Sequence, residues 1–94
     1  MPASSDPTGE AVTRTVTLAR PLHARPAGQV AQLAARHQGT TIELSTGAKR
    51  ANARSVLAVM GLGAPTGSAI EVRATGPDAA GVVDEIEHIL TTTE

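Results

Sequence analysis

The chain has 94 residues, of which 40% are hydrophobic and 18% charged, with a formal net charge of −1. That is enough for one compact domain and excludes two. It contains no Cys and no Phe, Trp or Tyr, which removes disulfides, thiolate nucleophiles, thiolate metal sites and the aromatic platforms that stack single-stranded nucleic acid.

Residues 1–10 (MPASSDPTGE) have neither the basic start nor the apolar stretch of a secretory signal, and they read as a disordered tail before a single folded domain over residues 11–92. Residues 12–18 place Val12, Val16 and Leu18 on one parity and threonines on the other, the pattern of a half-buried strand, with Arg14 breaking the apolar side. Residues 19–24 read as a loop. Pro26 suits a first helical turn, and Val30, Leu33 and Ala34 share one face of a helix predicted over 26–37 and stopped by Gly39.

Ile42 and Leu44 alternate in a strand over 41–46, and Thr46-Gly47 turns the chain into a weaker strand around 48–53. Ser55 is placed to cap a short helix over 56–62 that the Gly61/Gly63 pair closes. Residues 69–74 alternate Ile70, Val72 and Ala74 with Glu71 and Arg73. Pro77-Asp78 then opens a last helix reaching about Leu90, with Val82, Val83, Ile86, Ile89 and Leu90 as its apolar stripe. The order β-α-β-β-α-β-α gives three helices with one stripe each, too few to cover both faces of four strands. The economical α+β layout is an open-faced sandwich, with all three helices on one face of a mainly antiparallel sheet.

The charge is unevenly spread. Arg14, Arg20, Arg25, Arg36, Lys49, Arg50 and Arg54 precede residue 70 with Glu43 as the one acid after residue 10, whereas Arg73 alone faces six acids from Glu71 onward. A cationic surface on the first two-thirds suits anionic ligands or an acidic protein partner. No apolar run approaches the ~18 residues of a membrane span, so no direct membrane contact is expected. His37 and His88 read as surface residues, the latter paired with Asp84 one turn away. No histidine cluster suggests a metal, no phosphate-cradling motif is present, and no cofactor is expected.

One stretch carries chemistry: Leu22-His23-Ala24-Arg25-Pro26-Ala27. It sets a histidine and an arginine at a helix start, where unpaired backbone N–H groups and the helix dipole favour an anion. The same field favours the neutral, nucleophilic imidazole, and a guanidinium can fork onto phosphate oxygens. The site suits a histidine that takes a phosphoryl group on nitrogen and passes it on.

LHARPA at residues 22–27 closely resembles the active-site signature of the HPr family, the histidine-containing phosphocarriers of the phosphoenolpyruvate:sugar phosphotransferase system. Residues 52–63 (NARSVLAVMGLG) resemble the regulatory-serine helix of the same family, and the likeness extends over residues 12–90. It implies the open-faced fold, and a cytoplasmic carrier that is a stoichiometric intermediate rather than an enzyme; a monomer is expected because no large apolar patch is predicted. His23 would be phosphorylated on Nδ1 by the phosphoenolpyruvate-dependent enzyme I and would donate to IIA-type domains of sugar permeases. Arg25 would hold the phosphoryl group, with Ala24 and Pro26 shaping its loop. Gln29, Arg54, Val56, Leu57 and Met60, with Ala24, map onto the partner-docking surface. Ser55 falls on the serine that an HPr kinase/phosphorylase modifies in some members. Arg20-Pro21 departs from the small residue and glycine usual before the motif, which stiffens the loop and removes one N–H donor. Alternatives of the same fold are a regulatory interaction module, or a carrier in a nitrogen-related or dihydroxyacetone-kinase relay.

Overall fold

The computed structural model describes residues 11–93. The expected tail over residues 1–10 lies outside them. The seven elements follow the order read from the sequence: β1 (Ala11–Thr17), α1 (Ala24–Arg36), β2 (Thr41–Thr46), β3 (Lys49–Asn52), α2 (Val56–Met60), β4 (Ala69–Thr75) and α3 (Ala79–Thr92). The strands form one sheet in the order β1-β4-β2-β3, antiparallel at every pairing.

Alternation along each strand assigns the two faces. Val12, Ala74 and Ile42 make one row of the inner face; Arg14, Val72, Leu44 and Ala51 make the next, and Val16 and Ile70 the third. Val30, Leu33 and Ala34 of α1 and Val82, Val83, Ile86 and Leu90 of α3 are buried in the same core as these strand residues. The outer face is polar, with Thr13, Arg73, Glu43 and Asn52 in one row and Thr15, Glu71, Ser45 and Arg50 in the next. The helices therefore cover one face only. Without aromatic rings the core consists of Leu, Ile, Val and Ala, each large aliphatic side chain contributing about 1.5–3 kcal/mol on burial.

Arg14 occupies an inward position on an edge strand, and the reason it is tolerated lies on α3. Its guanidinium bonds the carboxylates of Asp84 and, at 2.9 Å, Glu87. Those two hydrogen bonds, that of Asp84 foremost, hold the Arg14 pKa above its ordinary value. Asp84 is thus engaged across the sandwich by Arg14. The intrahelical pair expected between Asp84 and His88 does not form.

Element boundaries shift in three informative places. α1 begins at Ala24, two residues earlier than expected, so Pro26 stands at its third position. A proline costs nothing there because that N–H has no intrahelical acceptor in any case. α2 stops at Met60, since Gly61 is its cap and Leu62 turns inward to the core. At the start of α3, Asp78 takes a left-handed conformation (φ 60°) and makes no side-chain capping bond, a conformation that Asp tolerates better than most residues.

The two ends of the sandwich are held differently. At one end, where Thr75 pairs with Ala11 and Thr41, the buried Thr40 donates its hydroxyl to the carbonyl of Pro77 at 2.6 Å. Gly76 beside it has φ 131°, and a Cβ there would lie 2.7 Å from the carbonyl oxygen of Gly39. Gly76→Ala combines backbone strain with a clash and is expected to cost about 1–3 kcal/mol. Urea denaturation should register this as a lower midpoint at unchanged slope.

Candidate functional site

The opposite end of the sandwich carries His23. β1 delivers the chain there, and backbone bonds fix the crossing into α1: Leu18 N–H to Ser68 O at 2.9 Å, Gly67 N–H to Leu18 O at 2.9 Å, and Leu22 N–H to Ala64 O at 3.0 Å. Arg20 and Pro21 sit between these ties, Arg20 exposed and Pro21 half-buried. The N–H of His23 turns back onto Pro21 O at 2.9 Å, and His23 O accepts from Ala27 N–H at 3.1 Å, the first bond of α1.

His23 is the N-cap of α1, extended at φ −88° and ψ −170°, and its side chain makes no capping bond. The imidazole is exposed and has no hydrogen-bond partner among the described residues. Of the four amides at this helix start, that of His23 goes to Pro21, and Pro26 has none. Those of Ala24 and Arg25 remain for an incoming group. They open toward the N-cap side chain with the positive end of the helix dipole behind them. Arg25 is exposed in the same turn, whereas Pro26 is buried and seats the helix on the core.

His23 also borders a shallow depression of about 390 Å³ lined by Pro21, Leu22, Met60, Gly63, Ala64 and Pro65. Met60 thus brings the C-terminal end of α2 to the N-terminal end of α1, and the two helices run in opposite senses. Leu57 is 81% exposed and Met60 38%; with half-buried Val56 they form an apolar ridge leading away from His23. Gln29 lies on the other flank of α1, where its Oε1 accepts from the Thr93 hydroxyl at 3.1 Å, so the structure does not gather it with α2.

Ser55 and Arg54 occupy the far end of α2. The Ser55 hydroxyl accepts from Ala58 N–H at 3.1 Å as the expected N-cap. The Arg54 guanidinium donates from Nη2 to the carbonyls of His37 (2.9 Å) and Thr40 (3.1 Å), at the C-terminal end of α1. Sequence reasoning missed Gly63, Ala64 and Pro65 as neighbours of His23. They enter through a backbone bond to Leu22, for which no side-chain pattern exists; the turn residues after α2 were the nearest available signal.

An exposed imidazole at the N-cap of a helix, on an antiparallel open-faced sandwich, is the build of the small histidine phosphocarriers. The family model described as "PTS HPr component phosphorylation site" matches residues 11–92. A curated relative, the phosphocarrier protein HPr of Treponema pallidum, is 37% identical over 68 residues, covering 72% of this chain and 76% of the relative. The crystal structure of an HPr from Bacillus anthracis superposes with a TM-score of 0.78 at 29% identity, covering 86% of this chain and 98% of that one. That of an HPr from Thermoanaerobacter tengcongensis gives 0.71 at 27% identity, covering 86% and 90%. The chain belongs to the HPr family of phosphotransferase-system phosphocarriers. No helix among the described residues is long and apolar enough to cross a membrane.

Because the Ser55 hydroxyl caps α2 whatever else is done to it, Ser55→Ala should lower folding stability by about 1 kcal/mol. Denaturant titration of the unmodified protein checks this.

Proposed function

We propose that His23 accepts a phosphoryl group from the phosphoenolpyruvate-dependent enzyme I and donates it to IIA-type domains of sugar permeases. The observation that carries this reading is the exposed His23 imidazole, without a hydrogen-bond partner among the described residues and set where two helix amides lack intrahelical partners. The ring attacks phosphorus through the Nδ1 lone pair. A P–N bond forms as the bond to the donor's leaving atom breaks, and the second transfer reverses the sequence on the acceptor. The amides of Ala24 and Arg25 and the Arg25 guanidinium hold the phosphoryl oxygens during both steps.

Stabilisation by two amides and one exposed guanidinium is moderate, which suits a group that must leave again. The protein supplies no second reacting group of its own, so it is consumed and regenerated stoichiometrically rather than turning over as an enzyme. Docking runs along Leu57 and Met60 beside His23. The cationic residues of the first two-thirds complement acidic partners, and a cytoplasmic monomer meets both partners in turn.

Intact-mass measurement after incubation with phosphoenolpyruvate, Mg²⁺ and a bacterial enzyme I tests the reading. Wild type should gain one acid-labile phosphoryl group and His23→Ala none, with the folding stability of that variant within about 0.5 kcal/mol of wild type because the side chain is exposed. Arg25→Ala should still be labelled, at a rate lower by about tenfold or more. A wild type left unlabelled while a control carrier is labelled, or a label that survives in His23→Ala, would refute the proposal.

A further inference from the structure

We infer that Arg54 is a positioning residue that sets α2 against α1, and that it serves docking through this clamp rather than by touching the partner. The inference rests on the carrier reading above. At five residues, α2 is far shorter than a helix that sustains itself in water. Val59 is its one fully buried residue, while Leu57 projects into solvent. Val56 and Ala58 are partly buried against the core beside Val59, a short contact that leaves the ends of α2 to fix its position along α1.

At the N-terminal end the ties converge on Arg54. Its backbone N–H donates to Asn52 Oδ1 at 2.9 Å, and the next residue, Ser55, caps the helix. Its guanidinium spans the carbonyls of His37 and Thr40 from a single nitrogen. His37 is the C-cap of α1; its carbonyl already accepts from Thr40 N–H at 2.9 Å, and the negative end of the dipole favours the guanidinium as a second, charged donor. Thr40 is itself immobilised, being 2% exposed and tied to Pro77. The guanidinium thus fastens the start of α2 to the end of the helix that begins at His23. The separation between the reactive imidazole and the Leu57–Met60 ridge depends on this fastening. With the clamp removed, a partner that must meet both features would have to order α2 as it binds, and association would weaken.

Two measurements on Arg54→Ala and Arg54→Lys test the clamp. In Arg54→Ala, amide exchange at Ala58 and Val59 should accelerate by about tenfold, the change that one net hydrogen bond to a charged donor sets, while β4 amides keep their protection. The KM of enzyme I for the carrier should rise by about threefold to tenfold at unchanged kcat. Arg54→Lys should recover part of both, because an ammonium can also donate to two carbonyls. A raised KM with unaltered α2 exchange would overturn the inference and place the guanidinium on the partner. Faster exchange with an unaltered KM would overturn it too, by separating α2 order from docking. Wild type that accepts no phosphoryl group would defeat the carrier reading, and the docking role with it; the exchange data alone would then judge the clamp.

Discussion

The position of β4 between β1 and β2 is the constraint on which the site depends. The strand formed last in the chain is inserted at the centre of the sheet, and its antiparallel register with β1 runs without a break from Ala11↔Thr75 to Thr17↔Ala69. That register brings the segment leading into β4 alongside the chain leaving β1. The ties from Leu18 to Gly67 and Ser68, and from Leu22 to Ala64, continue the pairing past the end of the strands. His23 is thereby held at a helix start by backbone alone, and its side chain is left without a structural duty.

The core explains how so small a chain keeps this arrangement without aromatic rings. Inner-face rows of Val, Ile, Leu and Ala interlock with the apolar stripes of α1 and α3, and their small residues let helices approach the sheet closely. α2 adds Val59 to that core and packs Val56 and Ala58 against it. Of the apolar residues it leaves exposed, Leu57 and Met60, the latter borders the same depression as His23.

Much of this was legible in the sequence because period-two and helical patterns are unambiguous in Val12–Val16, Ile42–Leu44, Ile70–Ala74 and Val82–Leu90. The one-sided helical covering followed from counting apolar stripes. Pro26 misled the start of α1, since proline, although favoured at the first helical position, is tolerated through the first turn, where no intrahelical N–H is lost. Arg14 read as a blemish on a strand, because its two partners lie some seventy residues away on α3 and no local pattern encodes them. His23 and Arg25 stood out by residue type and position, whereas the Ala64 side of the depression and the Arg54 clamp are made with backbone carbonyls, which every residue possesses and no sequence advertises.

Arg14 has a further consequence for how the molecule lives among copies of itself. β1 is an edge strand of seven residues whose outer backbone groups have no partner strand among the described residues, and its Thr/Val composition is what an adding strand would match. An approaching chain would extend the inner-face row that ends at Arg14, and would have to lay its own side chain over a guanidinium already held by two carboxylates. Such a row cannot be continued by an apolar side chain without burying charge. The ion pair that fastens α3 to the sheet therefore also sets a held charge along its open border, where it disfavours the addition of a further strand.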